Sequence, residues 1–117
     1  MQFQLTTDYI EKINQLILQK EDDAIKNLLQ DVHFADIADL LEELKSNNAV
    51  YIIKLLESEI SSEALLELDD DVRERILENL SPKEIAKEIE EMDTDDAADV
   101  VAELEENIQQ KVIDKIK

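Results

Sequence analysis

From Asp36 onward the chain repeats with a period of twelve residues, and this period limits the folds open to it. Six consecutive blocks keep one register: DIADLLEELKSN, NAVYIIKLLESE, ISSEALLELDDD, VRERILENLSPK, EIAKEIEEMDTD and DAADVVAELEEN. Their sixth residues are Leu41, Ile53, Leu65, Leu77, Ile89 and Val101, and their ninth are Leu44, Leu56, Leu68, Leu80, Met92 and Leu104. Both columns are apolar throughout and continue at Ile113 and Ile116. Positions three apart share one face of a helix, so each block reads as a short helix with an apolar stripe and a turn. A helix of that length is marginal in water, because nucleation is costly and few bonds follow it. Such units must stack on their neighbours, which is how an α-solenoid buries a continuous core. Twelve residues is shorter than the usual two-helix repeat, so a pair of blocks is a natural structural unit.

The block edges carry helix-starting chemistry. Ser81-Pro82-Lys83-Glu84 is a capping box with proline at the first helical position. Ser46-Asn47-Asn48, Ser61-Ser62 and Asp69-Asp70-Asp71 are polar and cap-competent, and are predicted to mark further breaks. Ahead of the repeat, Ile10, Ile13, Leu16 and Ile17 recur at helical spacing, predicting a helix from Thr7 to about Gln19 capped by Thr7 or Asp8. Ala24, Ile25, Leu28 and Leu29 predict another from about Asp22 to Gln30, with residues 1–6 as a frayed lead-in. The chain has no glycine and a single proline, so few helix breakers interrupt it. The expected fold is all-α: about nine short helices in a superhelix whose handedness the pattern leaves open. Residues 1–30 form the helical lead-in and 31–117 the acidic repeat of a single domain.

The formal net charge is −19, all of it supplied by residues 31–106, with 25 acids against six bases. A surface this acidic repels nucleic acid and anionic membranes, and attracts cations or basic partners. No aromatic and basic residues interleave as a single-stranded nucleic-acid platform requires. No cysteine is present, which removes disulfides and thiolate chemistry, and one histidine, His33, cannot build a multi-histidine metal site. His33 precedes a helix start, a place for capping or packing. Phe34 and Tyr51 are expected in the core or between repeats, while Phe3 and Tyr9 belong to the lead-in. The absence of a glycine-rich loop and of any catalytic set argues against an enzyme, and the spacing of Asp69-Asp70-Asp71 does not fit an EF-hand. No run of 18 apolar residues suggests a membrane span, and the start lacks the features of a signal peptide, so a reducing, cytoplasmic setting is expected.

The carboxylates that most need explanation lie in Met92-Asp93-Thr94-Asp95-Asp96-Ala97-Ala98-Asp99-Val100. Asp95 and Asp99 are four apart and share a helix face, where like charges repel by about a few tenths of a kcal/mol. The free N–H groups of a helix N-terminus accommodate one or two anions, not four. Either these groups are solvated or a cation completes them. Mg²⁺ suits such a pair, because it takes one or two carboxylates and keeps several waters. Glu88, Glu90, Glu91, Glu103, Glu105 and Glu106 are expected on solvated faces.

The run His33-Phe34-Ala35-Asp36-Ile37-Ala38-Asp39-Leu40-Leu41-Glu42-Glu43-Leu44 resembles the opening of the cytosolic N-terminal domain of MgtE-type magnesium transporters. Leu80-Ser81-Pro82-Lys83-Glu84-Ile85-Ala86 and the stretch from Met92 to Val100 resemble later parts of that domain, in matching order and spacing across residues 33–104. Phe34 departs from the pattern, which often has proline after the histidine, and Ser61-Ser62 replaces an alanine-rich stretch. The resemblance implies a right-handed superhelix on the cytoplasmic side of the membrane. It also implies following cystathionine-β-synthase-type domains, a connecting helix and a homodimeric pore. By the same resemblance, Mg²⁺ binds at Asp95, Asp99 and Glu63 against the neighbouring domain, and occupied sites favour the closed pore. The competing expectation is an acidic helical scaffold that binds a basic protein partner, as a flagellar motor-switch adaptor would.

Overall fold

The computed structural model describes residues 4–116, and among them nine α-helices and no strand. These are α1 (Thr7–Leu18), α2 (Asp22–Leu29), α3 (Phe34–Glu43), α4 (Ser46–Leu55), α5 (Ser58–Glu67), α6 (Asp70–Glu78), α7 (Pro82–Ile89), α8 (Thr94–Ala102) and α9 (Glu106–Ile116). The twelve-residue period is visible in the backbone. His33, Lys45, Glu57, Asp69, Ser81 and Asp93 each stand in extended conformation immediately before a helix, and each is twelve residues from the next. Three caps use side chains. Thr6 accepts from the Tyr9 N–H, His33 Nδ1 accepts from the Ala35 N–H at 3.1 Å, and Ser81 and Glu84 close the predicted capping box. The cap of α1 is therefore Thr6, one residue before Thr7; of the expected lead-in, residues 1–3 lie outside the described residues. With no glycine available, Lys20 takes the left-handed conformation that ends α1 (φ 56°), and the Glu21 and Lys20 N–H groups bond back to Leu16 and Ile17.

Helices pack chiefly on the helix two places along, α5 against α3 and α7, α7 against α9, and α4 against α6. The chain thus alternates between two rows, with α1 joining α2 and α4 at one end. One core runs from Ile13 to Val112. The fifth position of the repeat lies deepest, with Leu40, Ile52, Ala64, Ile76, Val100 and Val112 each at most 1% exposed. Leu41, Ile53, Leu65, Leu77 and Ile89 of the sixth column are buried beside it, whereas Val101 is half-buried. Burying each Leu, Ile or Val contributes about 1.5–3 kcal/mol, which offsets the poor stability of helices this short. Phe34, Tyr51 and Tyr9 pack partly buried against this core.

Ser61 and Ser62 do not mark a break. Both are buried inside α5, and the turn falls at Leu56-Glu57 instead. Ser62 Oγ is satisfied by the Glu59 carbonyl, and Ser61 Oγ by Glu88 on α7, so their hydroxyls are used within the helix stack.

Candidate functional site

Helix α8 opens at Asp93, whose side chain makes no capping bond, and carries Asp95 and Asp96 in its first turn. Asp95 and Asp99 are both exposed, and neither side chain has a hydrogen bond or ion pair among the described residues. One further step of four along the same stripe is Glu103, just past the end of α8. Glu63 is likewise exposed and unpaired, near the middle of α5. Helices α5 and α8 are not among the closely packed pairs, and no group of three or more Asp, Glu or His side chains is gathered to hold an ion among the described residues. Asp95 and Asp99 thus share a face, while Glu63 stands apart on another helix. Two free carboxylates suit a hard cation that keeps most of its water, but they do not enclose one.

Helix α8 is lightly buried. Val100 is its only buried residue, as Val112 is of α9, whereas α3, α4, α5 and α7 each bury four and α6 three. Helices α6 and α8 are not a closely packed pair, and a groove of about 250 Å³ lies between α6 and the turn that leads from α8 into α9. Leu77, Leu80, Leu104 and Ile108 line it together with Glu74, Glu78, Glu103 and Glu105.

Arg73 crosses to α8 beside this groove. Its guanidinium is buried and uses all five N–H donors. Nε and Nη2 donate to the two oxygens of Glu103 at 3.1 and 2.6 Å, and Nη2 also donates to Asp70 at 2.6 Å. Nη1 donates to the Leu65 and Leu68 carbonyls at 3.3 and 3.1 Å, satisfying acceptors at the end of α5. Its pKa is raised above the ordinary arginine value, first by the hydrogen bonds to Glu103, while burial opposes the shift. Glu103 is therefore not simply solvated as expected, because a buried cation reaches it.

A second correction concerns Glu88, expected on a solvated face. Only 6% exposed, it stands on α7 with both carboxylate oxygens 2.7 Å from Ser61 Oγ of α5. Burial raises its pKa from 4.5 to about 7; Ser61 and Lys87 oppose that shift, and Glu91 adds to it. The signal for both misses lay in two other columns of the repeat. Position five reads Leu40, Ile52, Ala64, Ile76, Glu88, Val100, and position two reads Ile37, Ala49, Ser61, Arg73, Ile85, Ala97. A polar residue in a column that faces the core is buried by its register, whatever its chemistry.

The family model described as the MgtE intracellular N domain matches residues 32–117, taking in α3 to α9 and leaving α1 and α2 outside. No curated protein matches the chain.

Proposed function

The chain belongs to the MgtE intracellular N domain family, the N-terminal domain of MgtE-type magnesium transporters, and from that premise we propose that it senses Mg²⁺ for such a transporter. The observation that carries this reading is the Asp95–Asp99 pair, two exposed carboxylates on one face of a lightly buried repeat helix and without any partner among the described residues. These two side chains hold an ion whose shell water or a facing surface completes, and Glu63, apart on α5, offers a carboxylate at a separate place. In this proposal that surface comes from the following cystathionine-β-synthase-type domains and connecting helix of a homodimeric transporter, on the cytoplasmic side. The chain's own part is electrostatic. Its acidic face repels an acidic partner until cations lie between them, so rising Mg²⁺ favours the docked arrangement and the closed pore. That works only if the ion binds the docked state more tightly than the separated one.

The test is an amide NMR titration of the chain with Mg²⁺ against Na⁺ at equal ionic strength. Localised shifts around Asp95, Asp99 and Glu63, lost when Asp95→Ala and Asp99→Ala are combined, are expected. Diffuse shifts over every acidic helix would refute cation sensing by this chain alone. They would favour the scaffold alternative, to which the acidic groove beside Leu77 and Leu104 is suited.

A further inference from the structure

We infer that Arg73 is the positioning residue for the Asp95–Asp99 face, acting through Glu103 to hold α8 against a seam that core packing leaves open. This rests on the cation reading above for its functional consequence, but its structural part stands alone. The alternating arrangement that closes α4 on α6, and α5 on α7, would close α6 on α8 in the same way. Instead α8 is in none of the closely packed pairs, with Val100 buried and Ala97 and Val101 partly so, and the acidic groove opens just past its end, between α6 and the turn into α9. Elsewhere in the stack apolar packing sets helix position. At α8 a two-pronged charged bond takes over much of that task, and such a bond is directional where packing is not.

The anchoring side of the bond is rigid. Arg73 is buried at 7% exposure, and its remaining donors are fixed by Leu65, Leu68 and Asp70. The held side is the end of the carboxylate stripe, since Asp95, Asp99 and Glu103 follow one another at steps of four. Where Glu103 is held, the direction of the whole stripe is held with it. Arg73 also neutralises the last member, leaving Asp95 and Asp99 as the unpaired negative pair.

Glu103→Gln tests this, with Asp70→Asn as its control. Both remove one negative charge from a partner of Arg73, but Asp70 lies on α6 itself, so only Glu103→Gln releases α8. Amide hydrogen exchange without Mg²⁺ is measured first. The expected result is a loss of protection of at least about tenfold confined to residues 94–102 in Glu103→Gln, with α3 to α7 unchanged and Asp70→Asn like the parent. Equal protection of α8 in both variants would overturn the inference. So would an equal loss in every helix, which would make the bond a general stabiliser. The second readout is the Mg²⁺ midpoint of the Asp95 and Asp99 amide shifts. It should rise several-fold in Glu103→Gln and much less in Asp70→Asn. Because Glu103 is one step from Asp99, the rise must persist in Na⁺ high enough to screen the lost charge, and a rise that salt abolishes overturns the positioning role. An unchanged midpoint with a loosened α8 overturns the positioning role. Absence of any localised response in the parent protein sinks the cation reading instead, and the exchange result then decides whether Arg73 holds α8.

Discussion

Glu88→Gln should stabilise the protein near neutral pH and change it little in mild acid. Glu88 ionises near 4.5 when unfolded and at about 7 in the fold, so between those values the folded state binds more protons than the unfolded state. Stability from this group is therefore fully present below about pH 4.5 and is lost as pH rises through about 7. At ~1.36 kcal/mol per pH unit, the loss amounts to about 3 kcal/mol. Glutamine keeps a neutral group of similar shape beside Ser61 and removes the cost of ionising it. The parent chain carries 31 acidic residues, whose shared titration also alters stability, so the informative quantity is the difference between parent and variant. Urea unfolding followed by circular dichroism at about pH 5 and about pH 8 should give a difference that grows by roughly 2–3 kcal/mol in favour of the variant. A difference that is the same at both pH values would refute the burial argument. The charged groups around the site define a second check. Lys87 and Glu91 act on Glu88 in opposite senses, and Lys54 and Glu84, 3.3 Å apart, line the adjoining cavity of about 120 Å³. The Ser61 hydroxyl is the strongest opponent of the shift, so Ser61→Ala should move the upper end of the pH window further up.

Arg73→Leu should destabilise the chain by about 3 kcal/mol in denaturant unfolding, because it strands Glu103 and the Leu65 and Leu68 carbonyls together. Ser81→Ala removes the accepting half of the α7 capping box and should cost about 1 kcal/mol by the same assay. Lys20→Gly should raise stability by about 0.5 kcal/mol, relieving a left-handed residue while giving back some chain entropy. Leu40→Ala, at a position with no exposure in the deepest column, should cost about 2–5 kcal/mol and lower the thermal midpoint accordingly.

Much of this protein was determined along the chain itself. Helix starts recur every twelve residues because the apolar stripe recurs at that spacing, a local property, while of the six repeat starts only His33 and Ser81 add a side-chain cap. The capping box at Ser81 and the pairing of Asp95 with Asp99 on one face follow from spacing alone. Family membership was legible for the same reason, since its motifs are contiguous runs.

Tertiary structure decided how deep each column lies and what crosses between helices. Ser61 looked like a turn residue until its helix packed against α7 and its hydroxyl met Glu88 across 27 residues of sequence. Glu88 and Glu103 have the same side chain and occur in similarly acidic stretches, yet one is sunk between helices and the other is held by a buried arginine. The open seam at α8 is likewise a matter of which helices meet, not of the composition of either. A repeat specifies which residues share a face through bonds and angles only a few residues long. Which face becomes core, and which carboxylate is dehydrated or paired there, depends on surfaces brought together from distant parts of the chain.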